Sequence, residues 1–233
     1  MATGKILLLL LLLLLLQLPS SSSLPSPPTA ASVSLAVRYD AAEGTARVLP
    51  RGSVLAPHAT VNYTQALFVD GWDRLIVAAV NSAKAGAFSA GFAEGVATQA
   101  SIYTMYVNNY ADWFGDGKVP PAKGAFTPAA VYAWLAQNWQ WTKAQVEKRT
   151  NNASEFWGWV GTNVNQLEGL VAGYNHAAPA HQALTLGDFL LLNADGDVEA
   201  LASAMNGGGN KTTVGASRRS PLHLRCSSMW KLA

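Results

Sequence analysis

The apolar residues of this chain change their spacing once, close to residue 82. Between residues 32 and 80 they alternate with polar residues and include many β-branched side chains, a pattern typical of strands. From residue 83 onward they recur every three or four positions in Ala-rich sequence, which is typical of helices. Strands followed by helices, in place of a regular alternation of the two, predict an α+β fold.

Four short strands are predicted before this change. Alternation of apolar residues places them at 32–40, 45–49, 61–68 and 72–80. The first two would form a hairpin, and Asp70-Gly71 is a turn signal between the last two.

Four helices are predicted after the change, at 83–110, 128–149, 152–174 and 185–192. Pro128 stands in the first turn of the second helix, where a missing N–H is tolerated. Asn151 or Asn152 can cap the third helix, and the fourth begins at Thr185 or Asp188.

Cys226 is the only cysteine among the 233 residues, so no disulfide can close within the chain. The fold must therefore be held by apolar burial, which a content of 50% hydrophobic and 13% charged residues permits. The formal net charge of +2 is too small to drive binding to nucleic acid or to an anionic membrane. We expect no nucleic-acid partner.

The first residues have the order of a secretory signal peptide. Lys5 precedes an apolar run over residues 6–16, and a Ser/Pro-rich stretch follows. The run is shorter than the roughly 20 residues of a membrane-spanning helix, so no stable transmembrane segment is expected. The alternative is an uncleaved signal anchor. We expect residues 1–23, or as many as 31, to be a signal peptide that directs the chain into the secretory pathway.

A secretory route would make three Asn-x-Ser/Thr sequons candidates for glycosylation. They are Asn62 in N-Y-T, Asn152 in N-A-S and Asn210 in N-K-T. Each stands beside turn residues, so we expect all three in loops.

The histidines and a short acidic pair give no pattern of metal ligands. The four histidines are His58, His176, His181 and His223. The closest two are five residues apart across a proline, and no Cys or carboxylate cluster accompanies them. Asp195-Gly196-Asp197 lacks the remaining ligands and the closing Glu of a calcium loop. We expect neither a metal nor a cofactor.

Tryptophans and two glutamates leave alternatives open. Large aromatic residues at helical spacing favour a core, with a sugar- or lipid-binding platform as the alternative. The tryptophans concerned are Trp134, Trp139, Trp141, Trp157 and Trp159.

Glu94 and Glu168 each precede a glycine. The simpler interpretation of both glutamates is a structural role in helix packing or hydrogen bonding. The alternative is that their carboxylates serve a functional site.

Three segments together resemble the phospholipase B-like family of lysosomal and secreted hydrolases. The segment 91–98, Gly-Phe-Ala-Glu-Gly-Val-Ala-Thr, is similar to an aromatic-x-Glu-Gly-x-x-Thr helix of that family. Gln-Leu-Glu-Gly-Leu at 166–170 and Leu-Thr-Leu-Gly-Asp-Phe-Leu-Leu-Leu-Asn at 184–193 follow in the family's order. Cys-Ser-Ser-Met-Trp-Lys at 226–231 matches the start of the family's large chain. The joint order of these motifs carries the resemblance.

This resemblance implies an N-terminal nucleophile hydrolase. Such a fold sandwiches two antiparallel sheets between helical layers, and its precursor cuts itself immediately before a cysteine. The match makes Cys226 the nucleophile and Arg225-Cys226 the cleavage site. It implies ester or amide hydrolysis in lipids or N-acylated substrates, by a secreted or lysosomal protein.

The resemblance also divides the chain. Residues 32–205 would be the N-terminal portion of the hydrolase domain, and the Gly-rich, basic stretch 206–225 a flexible linker before the cleavage site. Residues 226–233 would begin the large catalytic chain, which in the family precursor continues for several hundred residues. Only seven residues follow Cys226 here, so we expect an N-terminal part that is inactive alone and is completed by a complementary large chain. The alternative is a secreted, non-enzymatic α+β glycoprotein that acts as a binding module.

Overall fold

The computed structural model describes residues 29–81, 83–114, 128–150 and 155–194, together with residues 197 and 201. Four strands form one antiparallel sheet: β1 (Ala31–Asp40), β2 (Thr45–Val48), β3 (Ala59–Gln65) and β4 (Arg74–Ala79). Their order across the sheet is β2-β1-β3-β4. The predicted hairpin and the number of strands are confirmed.

Alternation along the strands gives the sheet two unlike faces. Val37 of β1 and Val61 of β3 are fully buried on the inner face, together with Tyr63. On the opposite face, called the outer face below, Thr60 and Asn62 of β3 are exposed. One face of the sheet therefore supports a core and the other is polar.

The link between β3 and β4 differs from the predicted strand. Leu67–Asp70 form a single helical turn, α1, which ends at Gly71 with a left-handed φ of 81°. The Asp73 carboxylate accepts hydrogen bonds from the backbone N–H groups of Ala66 and Leu67, at 2.8 and 2.9 Å. These bonds satisfy donors that a strand would otherwise pair, so β3 ends at Gln65.

Four longer helices follow, and all four predicted ones are confirmed: α2 (Lys84–Phe114), α3 (Pro128–Thr150), α4 (Glu155–Ala177) and α5 (Leu186–Asn193). A 3₁₀ turn over Ala180–Gln182 joins α4 to α5. The predicted caps Asn151 and Asn152 lie outside the described residues. Within the described ranges, none of the helices combines the length and the apolar character that crossing a bilayer requires.

Helix α2 covers the inner face of the sheet. Phe88, Phe92 and Ala93 pack with Val37 and Val61 into one buried cluster. A second cluster lies where α4 and α5 meet, and it contains Leu170, Tyr174, Leu184 and Phe189. The α+β prediction, with strands first and helices after, is confirmed. The second sheet that the resemblance implies is not among the described residues.

Candidate functional site

Two of the motif segments lie against each other in the structure. Segment 91–98 belongs to α2 and segment 166–170 to α4. A Cβ atom on Gly91 would overlap the backbone of Gln166 and Leu170, and one on Gly169 would overlap the backbone of Phe88. The motif glycines therefore bring the two helix backbones into direct contact.

Two more glycines continue this contact along the helices. A Cβ atom on Gly95 would meet the backbone of Leu170 and Tyr174, and one on Gly173 would meet the backbone of Phe92. Residue numbers rise together along both helices at these contacts, so α2 and α4 run parallel. The spacing Gly91-x-x-x-Gly95 and Gly169-x-x-x-Gly173 was a sequence signal for this contact, because positions four apart share one helix face.

Glu94 is the titratable group of the motif helices that the fold perturbs most. Burial raises the pKa of its carboxyl group to about 7. Among the described residues, no hydrogen bond or ion pair of the Glu94 side chain offsets this burial. Its backbone carbonyl accepts a hydrogen bond from the Thr98 Oγ1 hydroxyl at 2.8 Å. Glu94 can therefore exchange a proton near neutral pH, as acid–base groups do.

Glu168 has a different environment. Its Oε1 lies 3.4 Å from Lys143 Nζ on α3, and about a third of each side chain is exposed. Ion pairs of this kind contribute about 0–1 kcal/mol. The structural interpretation of Glu168 fits this contact, whereas no hydrogen bond of the Glu94 carboxyl group is found among the described residues.

The third motif segment, 184–193, is fixed by Asp188. This buried carboxylate accepts hydrogen bonds from the N–H and the hydroxyl of Thr185, both at 2.7 Å, and from the Tyr132 hydroxyl at 2.8 Å. The Thr185 hydroxyl accepts in return from the N–H of Asp188, which completes a capping box at the start of α5. Asp188 thus ties α5 to α3. The Thr-x-x-Asp spacing was the sequence signal for this role.

Replacing Asp188 with alanine is expected to destabilise the protein by about 2–3 kcal/mol, because it removes the carboxylate that caps α5 and that accepts a hydrogen bond from the Tyr132 hydroxyl. Tyr132→Phe is the matched control. It removes only the hydroxyl and is expected to cost about 1 kcal/mol. Urea unfolding followed by circular dichroism measures both. Equal effects of the two variants would contradict the capping role.

A polar cluster joins β3, the link before β4, and α2. The Tyr63 hydroxyl lies 2.7 Å from Asp73 Oδ2 and 2.8 Å from Ser101 Oγ. Burial raises the pKa of Tyr63. Burial also acts to raise the pKa of Asp73, but the hydrogen bonds from Tyr63 and from two backbone N–H groups outweigh it and hold that pKa below its ordinary value. This ionised carboxylate therefore anchors the end of the β3–β4 hairpin.

The histidines have structural neighbours. His58 Nδ1 accepts the backbone N–H of Tyr39 at 3.1 Å. The His176 ring packs on Phe92 with centroids 5.4 Å apart, and His181 lies in the 3₁₀ turn. His223 and Asp195 lie outside the described residues. Within the described part, no three His, Cys, Asp or Glu side chains are grouped to hold a metal ion.

Only some of the tryptophan side chains are buried in the core. Trp139 is buried, and its Nε1 lacks a partner in the part of the chain that the structure describes. Trp157 packs edge-on against Trp141, with centroids 6.2 Å apart. Trp134, Trp141 and Trp159 are each more than two-fifths exposed. The core interpretation is therefore wrong for these three, because one side of α3 and α4 has no packing partner among the described elements.

Of the predicted site residues, only Asn62 is among the residues that the structure describes. Cys226, Arg225, Asn152 and Asn210 lie outside the described residues, as do the signal peptide and the linker 206–225. Asn62 is exposed, but it lies within β3 and not in a loop. Its Oδ1 accepts a hydrogen bond from the Ser34 hydroxyl of β1 at 2.6 Å, as expected for a cross-strand neighbour.

Comparison with known proteins agrees with the family resemblance. The family model described as phospholipase B matches residues 59–233. Phospholipase B-like protein B of Dictyostelium discoideum is 29% identical over 150 residues, covering 62% of this chain and 24% of that protein. Putative phospholipase B-like 2 of Rattus norvegicus is 28% identical over 214 residues, covering 89% of this chain and 34% of that protein.

The chain thus spans about a quarter to a third of the length of these curated relatives. The matched region nevertheless takes in β3, β4 and all the longer helices. It also includes the glycine contact between α2 and α4 and the capped helix α5. Because the family model matches well over half of the residues, the chain belongs to the phospholipase B family.

Proposed function

We propose that this chain is the N-terminal part of a phospholipase B-like hydrolase that acts on ester or amide bonds in lipids or N-acylated molecules. The observation that carries the proposal is the family match, which extends from residue 59 to residue 233 and so includes the position of Cys226. The proposed location is the secretory pathway, with secretion or lysosomal delivery as its end. The N-terminal apolar run and the three sequons support that location.

Cys226 is the proposed nucleophile. Its sulfur attacks the carbonyl carbon of Arg225, the peptide C–N bond breaks, and the freed nitrogen takes a proton to become the α-amino group of Cys226. Water then hydrolyses the thioester, which leaves a carboxylate on Arg225 and restores the thiol. An α-amino group has a pKa of about 7.7–8.0, so it can accept the thiol proton in a later attack on substrate.

We propose further that residues 1–233 alone neither cleave themselves nor turn over substrate. Both steps need hydrogen-bond donors directed at the developing oxyanion, and the loss of one donor typically lowers the rate by about 10²–10³. The support is the share of the relatives that the chain spans, 24–34%. The proposed source of the donors is a complementary large chain.

Transcript sequencing and intact-mass analysis test this function. If transcripts continue in frame beyond residue 233, their product is expected to yield a chain that begins at Cys226, and Cys226→Ala is expected to abolish that cleavage. The chain of residues 1–233 is expected to stay intact and to hydrolyse neither phospholipid nor N-acyl substrates. Cleavage of the longer Cys226→Ala product at Arg225 would contradict the role of the thiol, and a shorter chain that cuts itself would contradict the inactivity.

A secreted binding module is the second candidate. Exposed aromatic residues at the β3–β4 hairpin favour it, since Phe68 is 85% exposed and Trp72 is 71% exposed. If transcripts end at residue 233, Cys226→Ala should match the wild type in every assay. The double variant Phe68→Ser/Trp72→Ser should then lose partner capture, and its retention would exclude this surface.

A further inference from the structure

The outermost strand β4 has a free edge. Among the described residues β4 pairs only with β3. The backbone N–H of Val80 donates to the carbonyl oxygen of His58 at 2.9 Å, and such bonds alternate along an antiparallel pair. Leu75, Val77 and Ala79 therefore direct their backbone N–H and C=O groups away from β3. These groups have no hydrogen-bond partner in the part of the chain that the structure describes.

The residues of β4 are apolar on both faces of the sheet. Leu75 and Val77 lie on the inner face, where Val77 packs against the buried cluster beneath α2. Ile76 lies on the outer face and is 65% exposed. Edge strands usually carry charges, prolines or bulges that prevent further pairing. The one charge of β4, Arg74 at its first position, is paired with Asp70 at 2.7 Å, so β4 has the composition of an interior strand.

The opposite edge of the sheet is protected. β2 has only four residues, and its exposed positions hold Thr45 and Arg47. Pro50, which has no backbone N–H, follows shortly after this strand. A short strand, an exposed charge and a nearby proline are features that keep other strands from an edge. Of the two outer strands, β4 is therefore the one suited to accept another strand.

The segment 226–233 fits this edge in length and in pattern. It has eight residues, and β4 has six. Alternate residues of a strand face opposite sides. One side would carry Cys, Ser, Trp and Leu at 226, 228, 230 and 232, and the other Ser, Met, Lys and Ala at 227, 229, 231 and 233. The side with Trp230 suits the apolar inner face of the sheet, and the side with Lys231 suits the polar outer face.

The chain is long enough to bring this segment to β4. Helix α5 ends at Asn193, and 32 residues separate it from Cys226. A stretch of this length spans up to about 100 Å when extended, which is several times the radius of a domain of this size. The family match includes both β4 and residues 226–233, so the two belong to one matched unit.

We propose that residues 226–233 dock along the free edge of β4 and extend the sheet by one strand. The inference deepens the proposed function and rests on it, because that function makes Cys226 the first residue of the catalytic chain. The added strand lies beside β4 and covers neither face of the sheet. Helix α2 keeps the inner face, and the outer face stays available to the second sheet of the proposed sandwich.

Disulfide trapping in the full chain tests the docking, because Cys226 is the only native cysteine. The β4 variants, made singly, are Leu75→Cys, Ile76→Cys, Val77→Cys, Ala78→Cys and Ala79→Cys, and the β2 controls are Thr45→Cys and Arg47→Cys. With diamide as oxidant, a disulfide within the chain is expected to form about tenfold faster at one or two β4 positions than at either control, because docking holds the sulfur atoms at bonding distance. Where two β4 positions react, they are expected to lie two residues apart, on one face. Non-reducing gels and peptide mass spectrometry measure the products.

Backbone hydrogen exchange gives a second measurement, which needs no added cysteine. Trp230→Pro removes a backbone donor from the docked segment. The amides of Leu75, Val77 and Ala79 are expected to exchange about tenfold faster in this variant than in the wild type. The amide of Ile76, which faces β3, is the internal control and is expected to keep its rate.

Three results would overturn the docking: equal disulfide rates on β4 and β2, exchange on β4 that Trp230→Pro leaves unchanged, or disulfides that form only between chains. The last result would show that a second copy supplies the strand. The inference and the proposed function fail separately. A longer product that cleaves itself before Cys226, while no β4 variant traps the thiol, overturns the inference alone. Trapping at β4, in a chain whose longer product neither cleaves itself nor hydrolyses substrate, supports the inference and contradicts the function.

Discussion

Alanine at position 91 is expected to destabilise the protein by about 3 kcal/mol or more. The added Cβ atom would overlap the backbone of Gln166 and Leu170 on the neighbouring helix. A backbone atom cannot rotate away as a side chain can, so α2 and α4 must move apart along their whole contact. Overpacking typically costs about 1–3 kcal/mol, and the cost rises when the obstacle is backbone. Urea unfolding followed by far-ultraviolet circular dichroism measures the loss.

Gly158→Ala is the matched control for this substitution. Gly158 also lies within a long helix, but a Cβ atom there would meet no atom within 4 Å. Because glycine is a poorer helix former than alanine by about 0.8–1 kcal/mol, Gly158→Ala is expected to stabilise the protein by up to that amount. If both variants shifted the free energy of unfolding in the same direction, the close contact between α2 and α4 would be wrong.

The free energy of unfolding is expected to fall as the pH rises from about 4.5 to 7, because of Glu94. The folded protein keeps the proton on this carboxyl group up to a pKa of about 7, whereas the unfolded chain loses it near 4.5. In this interval the folded state binds more protons, so raising the pH favours unfolding. The penalty is absent below the unfolded pKa and complete above the folded one, where it amounts to about 3 kcal/mol.

Unfolding measured at pH 5 and pH 8 tests this dependence. Glu94→Gln cannot ionise, so it is expected to flatten the pH dependence and to be more stable than the wild type at pH 8. Glu168→Gln is the control. Its carboxylate forms a partly exposed pair with Lys143, so its loss is expected to change stability by less than about 1 kcal/mol. A Glu94→Gln variant with the wild-type pH dependence would show that another group is responsible.

The regular elements could be predicted from the sequence because their apolar spacing is long and consistent. The change in apolar spacing near residue 82 was enough to predict the four strands and the four longer helices. Residues 67–70 could not be assigned in this way. Their apolar side chains fit a strand. The structure has a helical turn there instead, because the Asp73 carboxylate accepts hydrogen bonds from the backbone N–H groups of Ala66 and Leu67.

The environment of the motif residues was harder to predict. A Glu-Gly pair gives no sign of which neighbour faces the carboxyl group. That burial raises the pKa of Glu94, whereas Glu168 reaches Lys143, therefore follows only from the packing of α2, α3 and α4. The exposure of Trp134, Trp141 and Trp159 likewise depends on which layers surround α3 and α4. The predicted nucleophile Cys226 rests on the motif match alone and remains a prediction.

The glycine contact between α2 and α4 has a consequence for synthesis on the ribosome. All residues of the sheet and of α2 have been synthesised once the chain reaches residue 114. Gly173, which packs against α2, is synthesised about 60 residues later. At about 5–20 residues per second, this interval lasts roughly 3–12 s. During this interval α4 does not yet cover the glycine-lined side of α2. We therefore expect a chaperone that binds the nascent chain to bind this helix surface.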